Sequence, residues 1–203
     1  MTRLDAAFRR VSDVTMLIAG ALIIFSTVVI AVEVTIRKVF SMSIGGSDEI
    51  SGYLFAISCA LSWTSCVIER ANIRIDALHH RLPPPAQAIL DALGAALLFI
   101  LVAMLAYTAS YVIRSSLTTG ARAITPLATP LIIPQTIWFL ALLIFVLCLG
   151  IVLARTLLAL ARRDWARASA LAGGPTVTEA IDLEVAAARL RVAADAPVGK
   201  GGD

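Results

Sequence analysis

The chain has 203 residues, of which 59% are hydrophobic and only 15% are charged, and its mean hydropathy is +0.89. Soluble domains average about 25% charged residues. A soluble fold of this length could not hide so much apolar surface, because small domains leave much of their surface facing water. The composition therefore excludes an ordinary soluble enzyme. The formal net charge of +3 is better explained by membrane orientation than by nucleic-acid binding.

Four uncharged apolar runs follow one another along the chain, and each is long enough to cross a bilayer as a helix. We place these spans at about residues 14–32, 50–68, 92–113 and 132–154. The pattern predicts an all-α integral membrane protein, whose four transmembrane helices form one membrane domain at 14–155.

The segments that flank this domain differ in character. In the arm at 1–13, Leu4, Phe8 and Val11 recur at helical spacing with arginines on the other faces. This pattern favours an amphipathic helix lying at the membrane interface, the alternative being a simple extension of the first span. Residues 156–203 are predicted to be a cytoplasmic tail, with a possible short helix at 177–194 that a capping box precedes.

The basic residues predict that both termini lie in the cytoplasm, because Lys and Arg collect on that side of a membrane. Ten of them fall on one predicted side and four on the other. The ten are Arg3, Arg9, Arg10, Arg70, Arg74, Arg81, Arg155, Arg162, Arg163 and Arg167, and the four are Arg37, Lys38, Arg114 and Arg122.

No catalytic or metal-binding arrangement is recognisable in the sequence. The four predicted spans contain no Asp, Glu, Lys, Arg or His, whereas a carrier that works alone usually places such groups at membrane depth. His79 and His80 lie in a predicted cytoplasmic connection, so they cannot be the axial ligands of a haem inside the bilayer. Cys59, Cys66 and Cys148 fall within spans without metal or redox spacing. We therefore predict no cofactor and no enzymatic activity.

The second span carries small residues suited to helix packing and no recognisable catalytic or metal-binding residues. Gly52, Ala56 and Ala60 fall on one helical stripe, and small residues allow helices to approach closely. Packing within the chain's own bundle and packing against a partner membrane protein both explain this stripe. Before it, Ser47 can cap the helix, and Asp48 and Glu49 favour the positive end of its dipole.

These residues resemble a known family, the small permease (DctQ-like) subunit of tripartite ATP-independent periplasmic (TRAP) transporters. The resemblance covers roughly residues 11–155. Its landmarks are Arg37-Lys38-Val39-Phe40 at the end of span one, Asp48-Glu49 before span two, Arg70, Ile73 and Asp76 after span two, Leu82-Pro83, and Ile133-Pro134 followed by Trp138. Gly46 and Asn72 depart from the tryptophan and the histidine that the family often has at these positions.

The resemblance implies a subunit of the bacterial inner membrane. A periplasmic binding protein would deliver an organic acid to a large permease subunit, which moves it with sodium, while the small subunit supports the large one and contributes to docking. Candidate interface residues are Arg37, Asp48, Glu49, Gly52, Ala56, Ala60, Arg70, Asp76, Pro134 and Trp138, and membrane lipid is a further partner. The alternatives are a stand-alone four-span carrier and the membrane anchor of a redox enzyme.

Overall fold

The computed structural model describes residues 3–43, 45–70 and 82–174, together with residues 181, 185, 186, 188 and 189 of the tail. The described residues form five named helices: α1 (Arg3–Phe40), α2 (Ser47–Ile68), α3 (Pro84–Thr119), α4 (Ile132–Ala161) and α5 (Trp165–Ala172). The first four are long and apolar enough to cross a membrane. The all-helical, four-span architecture is therefore confirmed. The predicted helix at 177–194 lies largely outside the described residues.

The N-terminal arm is not a separate interfacial helix, which corrects the sequence prediction. Residues 3–13 continue into the first span as one unbroken helix of 38 residues. The sequence contains no glycine or proline between Arg3 and Val14 that would end the helix. Contacts with other helices also hold the arm, since Asp5 accepts a 3.0 Å hydrogen bond from Arg155 of α4.

Helix α1 buries one narrow stripe and leaves its other faces open. The stripe recurs every three or four residues, as in a coiled coil, and packs along α2. Its buried and half-buried members are Asp5, Phe8, Ser12, Thr15, Ala19, Leu22, Ser26, Val29, Glu33 and Ile36. Several of them are polar, so the branched apolar residues of α1 that dominate the sequence pattern point outward.

The helices pack in the order α1–α2–α4–α3, judged by their principal contacts. One apolar cluster joins all four helices and includes Ala19, Ala60, Ala109 and Leu142. Helix α2 lies between α1 and α4 and has the largest buried share of the four spans. The central position of α2 explains its many small residues, because two neighbours approach it closely.

The prolines of the sequence mark the start of α3 correctly, whereas the start of α2 differs from the sequence prediction. Helix α3 begins at Pro84 directly after Pro83, as expected, because proline is tolerated in a first turn. At the start of α2 the predicted Ser47 cap is wrong. Gly46 occupies the N-cap position with φ of 114°, and no side chain caps the helix. Ser47 is instead buried in the first turn.

Candidate interaction surfaces

Two carboxylates are buried at the end of the bundle formed by the α1–α2 and α3–α4 connections, here called the outer end. The first is Glu33, which is only 2% exposed. Its Oε1 accepts a 2.8 Å hydrogen bond from Arg37 and a 2.7 Å hydrogen bond from the Ser43 hydroxyl. Glu33 thus holds the connection after α1 against the helix itself.

The second buried carboxylate is Glu49, in the first turn of α2. Tyr53 donates a 2.9 Å hydrogen bond to Oε1, and the Thr125 hydroxyl donates to Oε2. Glu49 therefore ties α2 to the connection that precedes α4. Of the predicted acidic pair only Asp48 is exposed, so the two residues cannot play the same part.

The α3–α4 connection folds back on itself and packs against the start of α2. Arg122 and Pro130 form a single bridge between its two arms. A side chain on Gly46 would collide with Leu127 of this connection, and the positive φ of Gly46 also disfavours any other residue. The positive φ therefore favours glycine at position 46. Ile124, near the tip, is fully exposed.

A polar network lies between α1 and α2 at the opposite, inner end. The Ser65 hydroxyl donates a 3.0 Å hydrogen bond to the carbonyl of Ser12 and lies 3.1 Å from the hydroxyl of Thr15. The Ser12 hydroxyl donates a 2.8 Å bond to Glu69. Sequence reasoning missed this network. Its signal in the sequence was the pair of polar residues Ser12 and Thr15 at helical spacing on α1.

The short helix α5 is docked at the inner end by polar contacts with α3 and with the residue that follows the C-cap of α2. Arg70, just after α2, donates a 2.8 Å hydrogen bond to the carbonyl of Ala170. Ser169 donates a 2.8 Å bond to the buried Asp91 of α3. Ala168 is fully buried against α3 and α4. Arg70 is thus a structural link within the chain, and Asp76, the other candidate of this region, lies outside the described residues.

Helix α2 presents one uncovered face, here called the α2 open face and defined by Gly52, Phe55, Ala56 and Trp63. All four are exposed, and open space surrounds the position where a Gly52 side chain would begin. At 100° per residue these positions share about one third of the helix circumference. Ala60 is instead fully buried between helices. Of the predicted stripe, Ala60 therefore packs inside the bundle, whereas Gly52 and Ala56 remain exposed.

The two remaining candidates lie at the beginning of α4. Pro134 is buried in the first turn of α4, where proline is tolerated. Trp138 is half-buried against the main apolar cluster. Within the described ranges 3–43, 45–70 and 82–174, no three histidine, cysteine or carboxylate side chains are placed to hold a metal ion.

The comparisons with known proteins agree with this architecture. A family model described as "Tripartite ATP-independent periplasmic transporters, DctQ component" matches residues 26–163. The chain belongs to the DctQ family. Searches of curated proteins and of solved structures give no match. The DctQ match begins within α1 and ends just after α4, so it covers the membrane domain, and DctQ proteins are components of a transporter rather than of an enzyme family.

Proposed function

We propose that this DctQ chain is the small membrane subunit that supports the large permease subunit of a TRAP transporter. It acts in the sodium-driven uptake of an organic acid across a bacterial inner membrane, with both termini in the cytoplasm. It also contributes to docking of the periplasmic binding protein. Membership in the DctQ family supports a role as a transporter component. The separate roles of the small subunit, the large subunit and the binding protein are what we propose.

The observation that carries the proposal is the α2 open face. Gly52 and Ala56 leave the backbone of α2 accessible on the face that its neighbours α1 and α4 do not cover. Small residues favour close helix packing in membranes, where apolar bulk alone does not drive association. Phe55 is 62% exposed and Trp63 is 43% exposed on the same face, and they supply contact area. A helix of the large subunit fits this surface.

The docking part of the proposal rests on the exposed charges of the outer end. The Arg37 side chain is 57% exposed although it is bonded to Glu33, and Asp48 is exposed as well. Exposed charges at a transient interface raise the association rate in a salt-dependent manner. Glu49 supports this surface indirectly, because it fixes the loop at 120–131.

Reconstitution tests the proposal. The chain, the large subunit and the binding protein would be combined singly and together in proteoliposomes, with an inward sodium gradient. The radiolabelled organic acid would be chosen as the one that raises the melting temperature of the purified binding protein. We expect uptake only when all three are present. Uptake by this chain alone would establish the stand-alone carrier instead, and full uptake without this chain would refute the supporting role.

A further inference from the structure

A groove of about 700 Å³ runs along the amino-terminal part of α1 and is open to the outside of the bundle. Ala6, Ala7 and Val14 line it on α1, and Ile144 lines it on α4. Arg3 and Arg10 stand at the same groove, seven residues apart and therefore on one face of the helix. This groove is distinct from the α2 open face.

The dimensions of the groove suit one acyl chain. Its lining on α1 extends from Arg3 to Thr15, which at 1.5 Å per residue is about 18 Å. One leaflet of a bilayer core is about 15 Å thick. Ala6 and Ala7 are small enough to leave the groove open beside the helix. Val14 is 48% exposed and Ile144 is 37% exposed, so apolar surface is available along its length.

The positive charges of Arg3 and Arg10 at the groove favour the binding of an anion. Among the described residues, neither Arg3 nor Arg10 forms an ion pair with a carboxylate. The nearby Asp5 is bonded to Arg155 and belongs to the buried stripe of α1, on another side of the helix. Two guanidinium groups beside an apolar groove complement a phosphate that carries an acyl chain. Basic sites of this kind at the ends of transmembrane helices bind anionic headgroups.

We propose that this groove binds one anionic phospholipid. Arg3 and Arg10 hold its phosphate, and an acyl chain lies over Ala7, Val14 and Ile144. The site explains why α1 continues as a helix so far beyond its predicted span, since the lipid and the Asp5–Arg155 bond together hold that extension against the bundle.

Native mass spectrometry of the full chain in detergent tests the site. Phosphatidylglycerol and phosphatidylcholine with identical acyl chains would be titrated separately. We expect phosphatidylglycerol to bind at least tenfold more tightly. The double variant Arg3→Gln/Arg10→Gln should weaken that binding by roughly tenfold to thirtyfold, because each basic group near a membrane surface contributes several-fold. The variant Arg9→Gln is the matched control, since Arg9 does not line the groove and lies roughly 110° around α1 from Arg3 and Arg10, so it should leave binding unchanged.

A second variant probes the apolar part of the site without altering charge. Ala7→Trp fills the groove and should weaken both lipids at least fivefold, while gel filtration and circular dichroism confirm that the variant is folded. Equal loss with Arg9→Gln and with the double variant would overturn the proposal, because a general basic surface would then explain binding. Displacement of phosphatidylglycerol by millimolar inorganic phosphate would also overturn it in favour of a free-anion site.

Discussion

The hydroxyl of Thr125 donates a hydrogen bond to Oε2 of Glu49, a residue 76 positions earlier in the chain. Tyr53 bonds the other oxygen of the same carboxylate at 2.9 Å. One buried side chain therefore joins the first turn of α2 to the loop before α4. The shape of the outer end depends on this carboxylate, whereas its neighbour Asp48 faces outward.

Replacing Glu49 by Gln should destabilise the chain, whereas replacing Asp48 by Asn should not. A glutamine has only one acceptor oxygen, so at least one hydroxyl donor would lose its partner. Hydrogen bonds to a charged group stabilise a fold more than bonds between neutral groups do, so we expect Glu49→Gln to lower the melting temperature measurably. Asp48→Asn removes an exposed charge and should cost less than about 1 kcal/mol. Thermal unfolding of the two purified variants in detergent measures the difference.

Equal melting temperatures for Glu49→Gln and Asp48→Asn would contradict this role of Glu49. A double-mutant cycle with Thr125→Val adds a sharper control. If the two side chains act together, the double variant should lose less stability than the sum of the single variants.

The outer end shows where sequence reasoning stops. The acidic pair correctly marked the start of α2, because carboxylates favour the positive end of a helix dipole. The sequence could not tell which of the two would be buried, since the partner of Glu49 comes from a loop that is distant along the chain. Gly46 gave a similar difficulty. Its positive φ and its approach to Leu127 exist only in the folded chain.

The polar network between α1 and α2 gives a second prediction. Ser65→Ala removes the donor to the Ser12 carbonyl and should cost about 1 kcal/mol, the usual contribution of such bonds between membrane helices. Ser115→Ala is the matched control, because Ser115 is exposed on α3. The midpoint of unfolding in a denaturing detergent reports both variants. Equal midpoints would mean that the network does not stabilise the α1–α2 pair.

Helix α1 also shows how composition can mislead. Its Ile, Val and Leu residues predicted a span correctly, since length and hydropathy suffice for that purpose. They did not predict its packing face, which is the polar stripe containing Ser12, Thr15 and Ser26. In a membrane the apolar face has no reason to turn inward, because lipid is as apolar as the core. Periodicity of the polar residues was the informative signal.

The third prediction concerns the link between Arg70 and α5. Arg70→Gln should loosen α5, because it removes the charged donor to the Ala170 carbonyl. Limited trypsin digestion would then cleave after Arg167 about fivefold faster, corresponding to about 1 kcal/mol of local opening. Mass spectrometry of the fragments measures the rate. Arg9→Gln, on an exposed part of α1, should leave it unchanged, and an equal rate in both variants would refute the link.

The fourth prediction tests the orientation. In a variant with Cys59, Cys66 and Cys148 replaced by Ser, a single cysteine at Ile124 should react with an impermeant maleimide added to whole cells. A single cysteine at Ala170 should react only after the membrane is opened. Both positions are exposed in the structure, so access across the membrane decides the outcome. Labelling of the Ala170 position from outside would reverse the assignment of the two ends.

Binding of the large subunit to the α2 open face makes co-purification of the two subunits depend on the residues of that face. Gly52→Leu and Gly94→Leu make the same change at two helical glycines that both face open space. Gly52 lies on the α2 open face, whereas Gly94 lies on α3. We expect Gly52→Leu to lower the yield of complex at least fivefold at equal expression, while Gly94→Leu co-purifies normally. A normal yield of complex with Gly52→Leu would show that the large subunit does not bind the α2 open face.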